Sequence, residues 1–310
     1  MSVLEIVPFG EEHVPSAARL LADVHSAHRH FEPLLPERVD FEQQVVKEFE
    51  NGSGTAAVTG DEVVGYLIGR RAENAVGAYV WSDIAGQAVR EPTLVLDLYA
   101  KAATRWTEEG LTRHFVFVPP APSLLDPWFR ISFAISGAVA IRDTTETDSD
   151  RMPAGVLVRP STPADLPDIA RLAAVLQAEL NAPPSFSGFP VVSEEQHLEE
   201  WAGTWDDDRR VHFVAERGGR VVGHVLLERP TAVDLRTPEN SVDLSVATTD
   251  PAARGSGAGV AMTTHVLAWA REAGCTTMTT DWRISNLLAA RFWPRRGFRV
   301  AFHRLYRSLP

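Results

Sequence analysis

The sequence predicts an α/β protein in which one pattern of strand and helix occurs twice. Residues 6–20 and 158–172 share the order strand then helix, with similar residues at a constant offset of 152. Farther along, an alternating strand at 242–248 leads through a glycine-rich turn into an amphipathic helix at 260–270. These observations predict two tandem copies of one fold.

Composition limits the class of protein. The chain has 310 residues, of which 45% are hydrophobic and 23% are charged, as expected for a globular protein with two ordinary domains. No signal-like segment or run of 18 apolar residues occurs, so we expect a cytoplasmic protein without a membrane partner. A net charge of −11 argues against nucleic acid as a partner. The single cysteine, Cys275, begins an apolar strand and is interpreted as a core residue.

The second and third parts of the repeat follow in the same order. Val63-Val64-Gly65-Tyr66 corresponds to residues 221–224, and each is predicted to lie on the second strand of a hairpin. Arg90 then corresponds to Arg254 at an offset of 164, and a helix follows both arginines. A polar run at 144–153 separates the copies, so we predict domains at 1–150 and 151–310.

The turn at 254–259 is the most informative segment, with the sequence Arg254-Gly255-Ser256-Gly257-Ala258-Gly259. A turn between a strand and a helix presents free backbone N–H groups and the positive end of the helix dipole. Glycine lets the backbone approach a ligand closely, and arginine adds a charge-assisted contact. The segment therefore predicts a site for a pyrophosphate.

Two motifs resemble those of the Gcn5-related N-acetyltransferases (GNAT). Arg254, Gly257 and Gly259 match the family signature Arg/Gln-x-x-Gly-x-Gly/Ala. Residues 286–298 resemble the family segment Asn-x-x-Ala-x-x-x-Tyr-x-x-x-Gly-Phe, with Trp293 in place of the tyrosine. The resemblance implies that each copy has a mixed, mostly antiparallel central sheet flanked by helices.

The resemblance also implies acetyl-CoA as the co-substrate, with no metal. The family holds the pyrophosphate at the glycine turn and the pantetheine arm against the preceding strand and the asparagine of the second motif. Carried over to this sequence, the residues expected to bind the cofactor are Val246, Ala247, Thr248, Thr249, Arg254, Gly255, Ser256, Gly257, Ala258, Gly259, Asn286 and Trp293. Residue types alone leave Asn286 equally suited to be a helix N-cap and Trp293 to be a core aromatic.

The first copy lacks the turn that would bind the cofactor. Gly257 and Gly259 are replaced there by Thr93 and Val95, and Pro92 falls within the turn. β-Branched side chains would crowd a phosphate, and proline removes an N–H donor. We therefore expect the first copy to be degenerate and not to bind acetyl-CoA.

Acetyl transfer to an amine needs a group that accepts the proton of the incoming ammonium. Asp243, Asp281 and Glu228 are candidates for this base, and each is equally well explained as a solvated or paired acid at a strand end. Because Trp293 stands where the family has its tyrosine acid, Tyr306 or a water could replace that acid, or no acid is needed.

The predicted function is N-acetyltransfer to the primary amine of a small molecule or protein by the C-terminal domain of a monomer or homodimer. The alternative is a non-catalytic acyl-CoA-binding sensor or interaction module. His25, His28 and His30 close a predicted helix without partners at ligand spacing, so we predict no metal site there.

Overall fold

The computed structural model describes residues 3–146 and 153–310, which form two compact units. The first unit holds the chain up to Val139 together with Val233–Pro238 and Val300–Pro310. The second unit holds Ala140–Ala232 and Glu239–Arg299. No helix among the described residues is long and apolar enough to span a bilayer.

The first unit is built on a mixed sheet with the strand order β1-β2-β3-β4-β6-β13-β7, and a short strand β5 pairs with β3. Neighbouring strands are antiparallel from β1 to β4 and between β6 and β13, whereas β4 and β6 are parallel. Its elements are β1 (Leu4–Pro8), α1 (Val14–Phe31), α2 (Phe41–Glu50), β2 (Gly52–Thr59), β3 (Glu62–Asn74), β4 (Gly77–Ser82), β5 (Gln87–Val89), α3 (Leu94–Glu108), β6 (Arg113–Val118), α4 (Pro122–Arg130) and β7 (Ala134–Asp143).

The second unit repeats this design with the strand order β12-β11-β10-β9-β8. Strands β8 to β11 are antiparallel to their neighbours, and β11 runs parallel to β12. The elements of this half of the chain are β8 (Leu157–Pro160), α5 (Leu166–Asn181), α6 (Glu194–Ala202), β9 (Arg210–Arg217), β10 (Arg220–Glu228), β11 (Ser241–Thr249), α7 (Ala258–Glu272), β12 (Thr277–Arg283), α8 (Leu287–Phe292) and β13 (Arg299–Ser308).

The predicted repeat is confirmed by the positions of the elements. Helices α3 and α7 begin and end at the offset of 164 that relates Arg90 to Arg254. Each helix is the crossover between two parallel strands, β4 and β6 in one unit and β11 and β12 in the other. The predicted hairpins are β2–β3 and β9–β10. Each unit therefore has mixed, mostly antiparallel strands flanked by helices, as expected.

Local sequence explains where α5 begins. The Thr162 backbone N–H donates to Asp165 Oδ2 at 2.8 Å, which satisfies a donor that the helical turn leaves free. Arg159 Nη2 donates to the other oxygen of this carboxylate, Asp165 Oδ1, at 2.7 Å. This hydrogen bond lowers the pKa of Asp165 to about 2. The helix then buries Ile169 and Leu172 against Val214 and Val221 of the sheet.

The compact units divide the chain differently from the boundary predicted near residue 150, which lies outside the described residues. Strand β13 pairs with β6, from His303 beside Val118 to Ser308 beside Arg113, and so completes the sheet of the first unit. Thr144, just after β7, donates from its backbone N–H to Thr276 in the second unit.

Two buried histidines lie between α6 and the sheet of the second unit. His212 Nδ1 is 3.1 Å from His224 Nε2, and Trp205 stacks on His212 with ring centroids 4.6 Å apart. Burial lowers the pKa of His212 to about 4 and that of His224 to about 3. Both imidazoles are therefore neutral at pH 7, and one donates its N–H to the other.

This pair is expected to make the protein sensitive to acid. The unfolded chain binds protons near the ordinary histidine pKa of 6.5, well above the folded values, so stability is complete above that pH and falls as the pH drops toward 4. Between the unfolded and the folded pKa, each histidine lowers the free energy of unfolding by about 1.4 kcal/mol for every unit by which the pH falls. Urea unfolding between about pH 7.5 and about pH 5.5 should show a weaker pH dependence in a double variant, His212→Gln with His224→Gln. An equal dependence in both proteins would contradict the assignment.

Candidate functional site

The glycine-rich turn connects β11 to α7 through a short 3₁₀ segment, Pro251–Ala253. Gly255 has φ +77° and Gly257 has φ +88°, the left-handed conformation that residues with a Cβ rarely adopt. Gly257 is the N-cap of α7. The backbone conformation therefore favours glycine at these two positions, a reason that the sequence analysis did not include.

Several N–H groups of this turn have no backbone acceptor within the described part of the chain. Ser256 donates to Ala253, and Ala261 is the first helical N–H to find a partner, the carbonyl of Gly257. The four intervening N–H groups, those of Gly257, Ala258, Gly259 and Val260, remain available at the positive end of a 15-residue helix. This arrangement fits an anion such as a pyrophosphate.

Arg254 lies beside these donors. Its Nη2 is 3.0 Å from Glu179 Oε1 on α5, and both side chains are about one-third exposed. Glu179 orients the guanidinium without withdrawing it from solvent, because a half-exposed pair of this kind is weak. Arg254 thus keeps donors for a bound anion.

Strands β11 and β12 separate next to the turn. They pair only from Ser241 beside Thr277 to Leu244 beside Thr280, although both strands continue farther. On the other side of β11, the register with β10 shifts between Leu226 and Leu227, which leaves Ser245 as an extra, bulged residue. The backbone of residues 245–249 therefore faces a gap instead of a neighbouring strand on the β12 side.

A cavity of about 480 Å³ lies against residues 247–249 of β11, and its size is within the range of about 300–1,000 Å³ that is usual for small-molecule sites. It brings together most residues predicted to bind the cofactor: Ala247, Thr248, Thr249, Arg254, Gly255, Gly257, Ala258, Gly259, Asn286 and Trp293. Val246 and Ser256 are not among the lining residues. Thr248 Oγ1 is buried without a hydrogen-bond partner, as expected of a polar atom that meets a ligand.

Asn286 and Trp293 have structural roles in addition to lining the cavity. The Asn286 Oδ1 accepts the N–H of Ala289 at 3.2 Å and so caps α8. Trp293 is buried and packs edge-on against Phe292 and Phe298, with centroids 4.9 and 5.3 Å away. Both interpretations that the sequence left open for these residues are thus compatible with one geometry.

Asp243 lies on β11 two residues before the bulge, in a network of polar side chains. Thr279 donates to its Oδ1 at 2.6 Å, and Ser245 Oγ is 2.9 Å from both Asp243 Oδ2 and Glu228 Oε2. The serine has one proton and can donate to only one of these carboxyl groups at a time. Burial raises the pKa of Asp243 above its ordinary value, and the hydrogen bonds from Thr279 and Ser245 oppose this shift.

The other catalytic candidates occupy different surroundings. Asp281 is an exposed residue of β12, and Glu228 is held by Arg210 Nε at 2.6 Å. Tyr306 belongs to the first unit, where β13 places it beside Phe115 with ring centroids 4.7 Å apart. None of these residues, nor Asp243, lines the cavity.

The corresponding turn of the first unit is closed. The N–H groups of Leu94, Val95 and Leu96 donate to the carbonyls of Glu91, Pro92 and Thr93, so they are satisfied within the turn. Residues 91–96 include no left-handed conformation. Arg90, the counterpart of Arg254, forms an exposed ion pair with Glu62.

Side chains fill most of the matching gap in the first unit. A cavity of only about 50 Å³ remains there, lined in part by Val95, Leu235 and Phe302. Leu235 and Phe302 come from chain segments far from this turn in sequence. This position therefore has far less room than the 480 Å³ cavity of the second unit, and the absence of acetyl-CoA binding by the first copy stays a prediction.

Sequence reasoning missed part of the cavity wall. The missed residues are mostly apolar and lie on α5, β10, the 3₁₀ segment before the turn, α7 and α8: Val175, Leu176, Glu179, Val225, Ala253, Val260, Met262, Thr263, Leu288, Ala289 and Phe292. Their spacing is that of any helix or strand face that contributes to a core, so no signal in the sequence separates them from core residues. Among the described residues, no cluster of three or more histidine, cysteine, aspartate or glutamate side chains could hold a metal ion.

Comparison with known families finds a match for much of the second unit. Residues 175–298 match the family described as "Acetyltransferase (GNAT) family". The match contains the glycine turn, the separated strands and the second motif. None of the curated proteins matches the sequence.

Solved structures share the fold over nearly the whole chain. A GCN5-related N-acetyltransferase from Sphaerobacter thermophilus is 14% identical, with a TM-score of 0.63 over 98% of this chain and 95% of that one. A tandem GNAT protein from the clavulanic acid biosynthesis pathway is 15% identical, with a TM-score of 0.55 over 99% and 98%. A glucosamine N-acetyltransferase region of a fungal multi-domain β-N-acetylglucosaminidase is 14% identical, with a TM-score of 0.60 over 99% of this chain and 38% of that one. At these identities the likeness establishes the fold.

Proposed function

We propose, from the GNAT acetyltransferase domain that residues 175–298 form, that the second unit binds acetyl-CoA and transfers its acetyl group to a primary amine. The observation that carries this proposal is the left-handed Gly257 turn with its free N–H groups, next to two strands that separate around a cavity. The acceptor is the amine of a small molecule or of a protein.

Each part of the site suits one part of the coenzyme. The N–H groups of Gly257, Ala258 and Gly259, with Arg254, would hold the pyrophosphate. Residues 245–249 pair with no strand on the β12 side, and their backbone groups on that side would pair with the amide groups of the pantetheine arm as a strand pairs with its neighbour. When bound, acetyl-CoA supplies an acetyl group that is activated as a thioester.

Asp243 is the proposed proton acceptor. Its raised pKa brings the carboxylate closer to the basicity that a general base needs near neutral pH, and Ser245 connects it to the bulge beside the cavity. Because Asp243 does not line the cavity, the proton would reach it through the Ser245 hydroxyl or a water. Asp281 is the alternative base.

No acid is assigned to the departing thiolate. Trp293 has an indole N–H, which is too weak an acid for this role, and Tyr306 lies in the first unit. A thiol with an ordinary pKa near 8.5 leaves as a thiolate without obligatory protonation. The transfer therefore depends on positioning by the turn and on removal of the proton from the amine.

Loss of the Arg254 side chain is expected to weaken acetyl-CoA binding by about 3- to 10-fold, since a half-exposed, charge-assisted contact contributes roughly 1 kcal/mol. The dissociation constants of Arg254→Ala and wild-type protein should converge at high salt, where screening removes the contact. Arg90→Ala changes the counterpart in the first unit and should have no effect. Equal losses in the two variants would contradict the assignment of Arg254 to the cofactor.

Release of free thiol tests catalysis. Acetyl-CoA and wild-type protein are incubated with polyamines, amino sugars, amino acids or lysine-containing peptides, and thiol is followed with a chromogenic disulfide. We expect thiol release that depends on one acceptor class and is lost in Gly257→Val.

The second candidate function is a non-catalytic acyl-CoA sensor, which Trp293 in place of the family tyrosine favours. A sensor would bind acetyl-CoA and release no thiol with any amine. Binding without turnover across all four acceptor classes would therefore replace the enzyme proposal with this one.

A further inference from the structure

The first unit contains a polar cavity that is separate from the degenerate cofactor gap. Its volume is about 460 Å³, and its walls come from α2, β3, the turn after β4 and the segment Val233–Pro238. Charged side chains of both signs line it. A cavity of this size and polarity has room for a small ligand.

Glu48 marks the buried end of this cavity. The side chain belongs to α2 and is only 6% exposed, yet its Oε2 has no hydrogen-bond partner. Burial, with a contribution from nearby Asp83, raises the pKa of Glu48 to about 7, and the positive charges of Arg70, Lys47 and Arg236 oppose this shift. A buried carboxyl oxygen without a donor costs free energy, so its presence indicates a donor that comes from a ligand.

The other acidic residues of the cavity are already paired. Arg236 Nη2 is 3.8 Å from Asp83 Oδ2, and Arg236 Nε is 3.8 Å from Asp234 Oδ2. Asp83 also caps the turn after β4 by accepting the N–H of Ile84 at 2.8 Å. Among the carboxyl groups that line the cavity, Glu48 is therefore the one with a buried oxygen that accepts no hydrogen bond.

Three cationic side chains occupy the more exposed part of the wall. Lys47 and Arg71 are exposed, Arg70 is half-buried, and none of the three forms an ion pair with a described residue. An anion alone would be repelled by Glu48 and Asp83, and a simple cation would be repelled by these three groups. A molecule with both charges avoids both penalties.

We propose that this cavity is a second ligand site that binds a small zwitterion, with the ligand's amine at Glu48 and its anionic group at Lys47, Arg70 and Arg71. The chemistry identifies the class as an amino acid or a related amino-carboxylate. The site is independent of the proposed acetyl transfer, because all of its residues belong to the first unit.

Calorimetric titration of 6-aminohexanoate, hexanoate and hexylamine into the full chain without acetyl-CoA tests the proposal. These probes have the same chain length and differ in charge. Wild-type protein is expected to bind 6-aminohexanoate at least roughly tenfold more tightly than either singly charged probe, because only the zwitterion engages both ends of the cavity. Shorter and longer amino-carboxylates then measure the spacing between the two ends.

Glu48→Gln supplies the decisive variant, since glutamine keeps the shape of the side chain and removes its charge. It should reduce the affinity for 6-aminohexanoate to that for hexanoate and leave hexanoate binding unchanged. Glu50→Gln, on the exposed side of the same helix, is the matched control and should bind as wild type does. Failure of wild type to bind any amino-carboxylate, or equal affinities in Glu48→Gln and wild type, would overturn the proposal.

Discussion

A Gly257→Val variant is expected to bind acetyl-CoA at least about 30-fold more weakly than wild-type protein. Gly257 has φ +88°, a conformation that is strained for any β-branched residue. A Cβ at this position would also lie 2.5 Å from Pro153 Cβ, so the backbone of the turn would have to move. Such a movement misdirects the N–H groups that would hold the pyrophosphate.

Thr93→Val is the matched control, because Thr93 is the counterpart of Gly257 in the first copy. Calorimetry should show wild-type affinity for this variant, and thermal unfolding of both variants should show that each remains folded. A Gly257→Val protein that is folded and binds acetyl-CoA normally would remove the glycine turn from the site.

Asp243→Asn is expected to lower kcat by about 100-fold or more with little change in acetyl-CoA affinity. Asparagine has the same shape and can still accept the Thr279 hydrogen bond at Oδ1, but it cannot take a proton. The wild-type rate should also fall as the pH drops through the raised pKa of Asp243, since a base acts only in its ionised form. The asparagine variant should lose this acid limb.

Asp281→Asn and Tyr306→Phe are the comparison variants. Asp281 is exposed, and Tyr306 packs beside Phe115 in the first unit, so each variant should retain kcat within about threefold. A large loss of kcat in Asp281→Asn with normal turnover in Asp243→Asn would transfer the role of base to Asp281.

The strand, glycine turn and helix at 242–272 could be predicted from the sequence because local backbone geometry imposes the residue types there. Gly255 and Gly257 occupy left-handed conformations, and the offset between Arg90 and Arg254 equals the offset between the two crossover helices. Apolar residues recur with the period of a strand before the turn and with the period of a helix after it. Local rules were sufficient for this part of the structure.

Pairings between distant segments could not be predicted in the same way. Strand β13 pairs with β6 of the first unit, and residues 233–238 also belong to that unit, although both segments lie more than 80 residues beyond the predicted boundary at residue 150. Strand periodicity shows which face of a strand is buried but does not identify its partner. Tyr306 was assigned to the second copy for this reason.

Part of each cavity also escaped sequence reasoning. Glu48 sits in an ordinary amphipathic helix, and only the structure shows its oxygen buried without a donor. The apolar wall of the cofactor cavity, such as Val225 and Met262, is indistinguishable from core in the sequence. Burial and hydrogen-bond satisfaction depend on tertiary structure, and no single-residue pattern reports them.

The central claim is that one copy of the repeat binds acetyl-CoA and the other does not. The most direct test is the stoichiometry of acetyl-CoA binding to wild-type protein by calorimetric titration. An open turn in the second unit and a closed, filled one in the first predict one site per chain. Two equivalent sites, or no binding, would contradict this account.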